Sequence, residues 1–338
     1  MIPVPEFGHL ATLTTPYGVF EHALGPVARP EHGFCLDDAA RGLVLTAREV
    51  DPSPEVTWLT TTYLDVVLAA QAPTGQFHNR RDLEGGWTDS PGVGDHWGRA
   101  LWALGTAAAL TTDDAVRTRA IDASRTGLRW RSPWWHATAY AVLGAAELLT
   151  VRPGDQVSLD VLTDARATLG RPSSDPSWPW PDQRLTYADA VLPEALLAIA
   201  SALDDADLMA RGLALLEWTV DHHTIGDHLS LTPVGGWAPG EARPGFDQQP
   251  IEAAALAEAC SRAWALTGAR RWSHAVERCA AWFLGLNDTG AAVYDAATGG
   301  GFDGLERTGV NRNQGAESTL AALSTLQLAR LMTLELAG

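Results

Sequence analysis

The chain has no lysine: all 24 of the basic residues among its 338 are arginine. That absence removes Schiff-base catalysis and the Gly-x-x-x-x-Gly-Lys phosphate loop, each of which needs an amine at a fixed position. Cysteine is nearly as scarce. Cys35, Cys260 and Cys279 are scattered and form no Cys-x-x-Cys pair, so neither a disulfide framework nor a zinc ribbon is expected. No apolar run reaches the ~20 residues of a membrane span. Met1 to Leu10 has neither the basic stretch nor the apolar core of a secretory signal, so a soluble, cytoplasmic protein is expected. Basic residues are outnumbered by 41 acidic ones, for a net charge of −17. Nucleic acids and anionic membranes need a basic footprint and are excluded as partners.

Tryptophan is abundant instead, with fourteen against three methionines. Many fill the core, but Trp87, Trp134, Trp135, Trp178, Trp180 and Trp237 fall in or beside Gly/Pro-rich loops. There a flat indole can stack on the apolar face of a ring-shaped ligand.

Apolar residues recur at helical spacing along nearly the whole chain. The pattern predicts helices over Asp37–Val50, Pro54–Gln71, Asp95–Leu110, Asp113–Trp130, Pro133–Leu149, Gln156–Leu169, Thr186–Leu203, Asp205–His222, Gln248–Leu266, Ala269–Leu286 and Gln314–Leu336. Strands are expected only as short pieces near Leu229–Leu231 and Ala292–Tyr294. Alternate helices differ in character. The first, third, fifth and so on are Ala-, Gly- and Leu-rich on most faces, as in Ala137-Thr-Ala-Tyr-Ala-Val-Leu-Gly144, and read as buried. Those between them carry a charged face. An inner ring wrapped by an outer ring follows, in one domain spanning residues 1–338. Inner helices begin near residues 37, 95, 133, 186, 248 and 314, so six hairpins should close into an all-α (α/α)6 toroid. Eleven helices leave the twelfth either to the N-terminal segment or missing.

Links from inner to outer helices are short, as at Thr111–Thr112, Asp204 and Thr267–Gly268. Four returning links are long: Ala72–Gly94, Gly170–Leu185, His223–Asp247 and Asn287–Asn313. Long loops in a compact domain usually carry function, so the site is expected on the rim where inner helices start.

Each inner start carries polar and aromatic residues. The first holds Asp37 and Asp38 in Gly33-Phe-Cys-Leu-Asp-Asp-Ala-Ala-Arg41, and the second holds Asp95, His96 and Arg99. The third brings Trp135 and His136, the fourth Trp180 and Tyr187, and the link into the second helix brings Trp87. The fifth reads Phe246-Asp-Gln-Gln-Pro-Ile-Glu252, with Asp247, Gln248, Gln249 and Glu252. The sixth supplies Asp303, Asn313, Gln314 and Glu317. Helix capping accounts for a single Asp such as Asp38, Asp95 or Asp247. Six clusters on one rim suggest a site. Carboxylates, amides, imidazoles and indoles suit a glycan, and two carboxyls can cleave a glycosidic bond as acid and base. The pair is expected among Asp38, Asp95, Asp247 and Glu317, the other named residues binding substrate. His222, His223 and His228 sit at a helix end and turn, so no metal and no cofactor is expected. The Gly299-Gly-Gly301 run reads as a tight turn over the site.

Gly33–Arg41, Asp95–Gly105, Trp178–Leu196, Phe246–Ala253 and Tyr294–Thr319 together resemble a group of bacterial (α/α)6 glycosidase-like proteins, often labelled as glycosyltransferase-associated. Asp-Gln-Gln-Pro-Ile-Glu and Asn-Gln-Gly-Ala-Glu-Ser-Thr are the most specific strings. No Rossmann half or Gly-rich turn for a nucleotide sugar is present. More broadly the chain resembles toroidal glycoside hydrolases and sugar epimerases. It departs from the group's pattern at Pro181–Gln183 and Leu185–Asp189, so Asp182 and Asp189 are not carried over as essential groups. The resemblance implies an inverting glycoside hydrolase acting on an oligosaccharide or small glycoside, with a mannoside favoured. Alternatives are an epimerase, in which His96 and His136 would pair, an isomerase or phosphorylase on the same scaffold, or a non-catalytic glycan-binding module. Oligomeric state is left open.

Overall fold

Glycine and alanine concentrate in alternate helices, and those helices lie inside. The computed structural model describes residues 2–169, 171, 173, 175 and 177–337. Among them are twelve helices: α1 (Gly8–Leu13), α2 (Leu36–Ala47), α3 (Pro54–Ala70), α4 (Asp95–Leu110), α5 (Asp114–Gly127), α6 (Trp135–Val151), α7 (Gln156–Leu169), α8 (Val191–Ala202), α9 (Ala206–His222), α10 (Pro250–Thr267), α11 (Arg270–Phe283) and α12 (Ala316–Ala337). The even-numbered helices pack side by side in the order α2, α4, α6, α8, α10, α12, and α12 returns to α2 to close the ring. Helices α3, α5, α7, α9 and α11 lie outside against the inner helices they follow, and short α1 packs on α12. The expected twelfth helix is α1, from the N-terminal segment. No described helix is long and apolar enough to cross a membrane.

The tightest seam lies between α4 and α6. A Cβ added at Gly98 would collide with the Ala137 carbonyl, one at Gly105 with the Gly144 carbonyl, and one at Gly144 with the Leu101 carbonyl. Without side chains at those points the two backbones approach directly, and the neighbouring Ala and Leu residues close around them.

Three expectations need correction. The helix expected from Thr186 starts at Val191, because Tyr187, Ala188 and Asp189 form a turn in which Ala188 takes φ +49°. Strands are more numerous than expected. Among the described residues, twelve pieces of two or three residues pair into six antiparallel ribbons, including His228–Leu229 and Tyr294–Asp295 near the two anticipated places. They are too short to show an alternating pattern in sequence. Finally, Gly300 and Gly301 form a buried strand against α12 rather than a free turn, and a Cβ at Gly301 would strike the Ser318 carbonyl. The expected long link Gly170–Leu185 includes residues 170, 172, 174 and 176, which lie outside the described residues.

The α4–α6 seam yields a test. Gly144→Ala should destabilise the protein by at least about 2 kcal/mol, since overpacking here meets backbone that cannot rotate away. Urea unfolding showing no loss for this variant would mean that the seam is looser than described.

Candidate functional site

The starts of the inner helices enclose a cavity of about 540 Å³. Asp37, Asp38 and Arg41 enter it from α2, Asp95 and Arg99 from α4, and Glu317 and Ser318 from α12. Tyr187 reaches it from the turn before α8, Gln249 from the N-cap of α10, and Asp303 and Asn311 from the ribbon before α12. The N-terminal segment adds Glu21, His22 and Cys35.

Capping does not explain these acids. Cys35 is the N-cap of α2 and Gly94 that of α4, and neither makes a side-chain cap bond. Instead the Leu36 amide at the start of α2 donates to the main-chain and side-chain oxygens of Asn79. The Asp37, Asp38 and Asp95 carboxyls are thereby left for the cavity, still in first turns where the helix dipole favours negative charge.

Two arginines organise the carboxylates. Arg41 Nη1 donates to Asp38 Oδ1 at 2.5 Å and its Nη2 to Glu317 Oε2 at 2.7 Å, so one guanidinium ties α2 to α12. Arg99 Nη1 donates to Asp37 Oδ1 at 2.6 Å, tying α4 to α2. Cys35 Sγ donates to Asp38 Oδ2 at 3.0 Å. Asp95 makes no ion pair among the described residues.

These settings separate the carboxyls. Burial is the largest influence on Asp38 and, with the charge of Glu317, outweighs Arg41, so its carboxyl is pushed up to about 6. Burial also raises Asp95, against the pull of Arg99, and raises Asp303, against the Gly315 amide. For Asp37 burial pushes upward too, but Arg99 and Arg41 together prevail and its carboxyl lies below the usual range. A site that holds one acid prone to protonation beside another that stays ionised has the makings of an acid–base pair.

The rim gathers many of the expected residues but not all. Asp37, Asp38, Asp95, Arg99, Tyr187, Gln249, Asp303 and Glu317 line the cavity. Asp247 does not; it is exposed, and its carbonyl accepts from the Val234 amide. Gln248 is buried and structural, its Oε1 accepting from the Leu231 amide and from Trp282 Nε1. Asn313 accepts from the Gly25 amide, and Gln314 bonds Thr298 and Asp295, so both brace the N-terminal segment and ribbons. Glu252 is buried and bonds the Ala188 amide. His96 Nε2 donates to the Phe77 carbonyl at 3.0 Å, outside the cavity lining. Trp87 stacks on His78 and under Arg81 in the outer loop. His136 is stacked between Trp135 and Tyr187, with Trp180 edge-on to Trp135. Burial first, then Arg99, pulls the His136 imidazole down to about 4.

Glu21, His22, Asn311 and Ser318 were not anticipated from sequence, nor was Arg41 as a site residue. Arg41 follows Asp38 by three residues on one helix face, a spacing that could have signalled it. Glu21 and His22 lie in irregular chain with no periodicity to read. Of the loop histidines, His228 pairs with Asp288 and His223 with Asp189.

No family model matches the chain, and no curated protein matches it by sequence. Solved structures do. A D-mannose isomerase superposes with a TM-score of 0.69 at 10% identity, over 95% of this chain and 93% of that one. A cellobiose 2-epimerase from Bacillus thermoamylovorans gives 0.70 at 11% identity, over 96% and 97%. A GH76 alpha-mannanase from Bacteroides thetaiotaomicron gives 0.66 at 11% identity, over 90% and 88%. The fold is the (α/α)6 toroid. The cavity is lined by the starts of the inner helices, on the rim where the long links enter.

The Asp38 setting has a measurable consequence for the toroid's stability. Its folded pKa of about 6 exceeds the ordinary 3.8, so the folded state holds this proton more tightly than the unfolded chain. The contribution of Asp38 to stability therefore falls as pH rises through that window, by about 3 kcal/mol in all. Relative to wild type, Asp38→Asn should gain most of that, about 2.4 kcal/mol, between pH 4 and pH 7, whatever constant offset the lost Arg41 bond adds. A difference in urea unfolding free energy that does not change with pH would refute the assignment.

Proposed function

We propose that the chain is a carbohydrate-active enzyme acting as one catalytic unit, and that its reaction is hydrolysis of a glycosidic bond with inversion. The observation that carries this reading is the pairing of unlike carboxyls across the cavity. Asp95, on α4, is raised by burial and free of ion pairs among the described residues. Glu317, on α12, is held at one oxygen by Arg41 while its side chain remains 43% exposed. In this reading Asp95 protonates the leaving oxygen and Glu317 orients and deprotonates water arriving from the open side. Asp37, kept ionised by Arg99, stabilises the positive charge that develops on the sugar ring. Asp38 holds Arg41 in place. Tyr187, Gln249, Asp303 and Asn311 supply the stacking surface and hydroxyl partners.

The names of the superposed proteins support a sugar as substrate, and the motif resemblance favours a mannoside. Some of those proteins are an isomerase and an epimerase, and an acid–base histidine pair would suit such chemistry. His22 is the one histidine lining the cavity among the described residues. His136 is neutral and wedged between aromatic rings, and His96 is bonded to a carbonyl, so hydrolysis by carboxylates is the better supported reaction.

The test is a panel of disaccharides and aryl glycosides, mannosides among them, with product followed by proton NMR in deuterated water. Hydrolysis with inversion gives a new reducing end of opposite anomeric configuration and no carbon-bound deuterium. Deuterium at C2 without cleavage would replace the hydrolase reading with an epimerase. On the substrate found, Asp95→Asn and Glu317→Gln should each lower kcat by roughly 10²–10⁴, the usual contribution of a positioned acid or base. Near-wild-type turnover in both variants would refute the pair.

A further inference from the structure

A buried cluster beneath the Tyr187 edge of the cavity takes no part in that acid–base scheme. Glu252 stands in the first turn of α10, Asp189 lies just before α8, and His223 ends α9; all three are buried. Glu252 Oε1 accepts from the Ala188 amide at 2.7 Å. Its Oε2, Asp189 Oδ1 and His223 Nδ1 have no hydrogen-bond partner among the described residues. Asp189 Oδ2 has His223 Nε2 at 3.2 Å, off hydrogen-bond geometry, and the same nitrogen lies 2.8 Å from Thr232 Oγ1. No arginine pairs with either carboxyl among the described residues. No group of three His, Cys, Asp or Glu residues among those described is placed to hold a metal.

The reason for a buried acid here lies in the turn it touches. Ala188 occupies the left-handed region at φ +49°, which a residue with a Cβ enters reluctantly, so the turn needs an external hold. Two features of the cavity wall depend on that turn. The Tyr187 side chain lines the cavity, and the Tyr187 carbonyl accepts from His136 Nε2 at 2.8 Å. The Tyr187 ring lies parallel to His136, with centroids 4.3 Å apart, and His136 stacks on Trp135.

The geometry points to Glu252 as a positioning residue: by clamping the Ala188 amide it sets Tyr187, and the aromatic stack behind it, as the wall against which a sugar ring packs. This inference rests on the glycoside reading of the cavity. Two carboxyls buried together do not both ionise readily. Burial first, and the charge of Asp189 next, push Glu252 well above the usual carboxylate range. That setting favours the protonated form, in which one oxygen accepts from Ala188 and a hydroxyl is left to donate. Glutamine offers the same acceptor and a donor in nearly the same shape; alanine offers neither.

Wild type, Glu252→Gln and Glu252→Ala should be compared by hydrogen–deuterium exchange without sugar, and by kcat and KM on the glycoside found in the panel. In Glu252→Ala, amides 186–190 should exchange about tenfold faster and KM should rise about tenfold with kcat changed less than about threefold, the scale of one lost hydrogen bond to a charged or buried partner. Glu252→Gln should recover most of both effects. Tyr187→Ala should raise KM similarly, and adding Glu252→Ala to it should raise KM no further, because both act through one wall. Gln behaving like Ala, faster exchange spread evenly over α8 and α10, or additive effects in the double variant would overturn the clamp. Should the alanine variant fail to fold, Glu252→Met keeps the volume without the acceptor and takes its place. If no glycoside is turned over, the hydrolase reading falls, and exchange alone decides the clamp: local acceleration at 186–190 supports it and unchanged exchange refutes it.

Discussion

Six helices closed into a ring leave a space along the axis that side chains must fill, and in this protein arginine–carboxylate pairs do much of the filling. At the cavity end Arg41 joins α2 to α12 and Arg99 joins α4 to α2. Toward the other end Arg48, the C-cap of α2, holds both oxygens of Glu258 on α10, at 2.6 and 2.7 Å. Arg262 of α10 reaches Glu194 on α8 and Glu147 on α6. Every inner helix is thus tied to another through a guanidinium. A planar fork with donors on both edges can bridge two helices at once, which a lysine ammonium does less well. Where both partners are largely buried, as in Arg48–Glu258, removing one leaves a charge uncompensated at a cost of about 3–5 kcal/mol.

Those pairs also set the chemistry. A narrow cavity of about 60 Å³ continues from the rim site down the axis, lined by Arg41, Arg99, Glu194 and Glu258 together with Trp102 and Tyr140. Burial is the largest influence on Glu194, Asp38 and Asp37, and the neighbouring arginines decide how far it is offset. Glu194 is pushed up to about 7 by burial, against Arg262, and Asp38 to about 6, against Arg41. Asp37 has two arginines in reach and goes the other way. Similar side chains on one scaffold thus acquire different proton affinities from small differences in who their neighbours are.

Much of this architecture was legible in the sequence because helices announce themselves locally. The α4 range, Asp95–Leu110, was read without error, and the alternation of Gly/Ala-rich with charged helices identified the inner and outer layers. The contrast of short and long links located the rim. Asp37, Asp38, Asp95, Arg99 and Glu317 were legible as candidates because charged residues stand in the first turns of several buried helices, α2, α4 and α12 among them. Asp247 and Gln248 show where that logic stops. They follow a similar pattern one residue apart, yet Asp247 faces solvent and Gln248 is fully buried, bonded to Leu231 and Trp282.

Residue identity and periodicity determined the helices, their burial, the exclusion of lysine-dependent chemistry and the end of the molecule at which acids gather. Each of those depends on neighbours within a turn or two of chain. Tertiary structure alone decided that Arg41 reaches Glu317 across 276 positions of sequence, and that Glu21 and His22 enter the cavity from an irregular segment. It also decided that Glu252 turns inward to Ala188 rather than toward the cavity. These outcomes depend on how the ring closes, because closure sets which charges share a low-dielectric space, and a single helix carries no record of the helix that will face it.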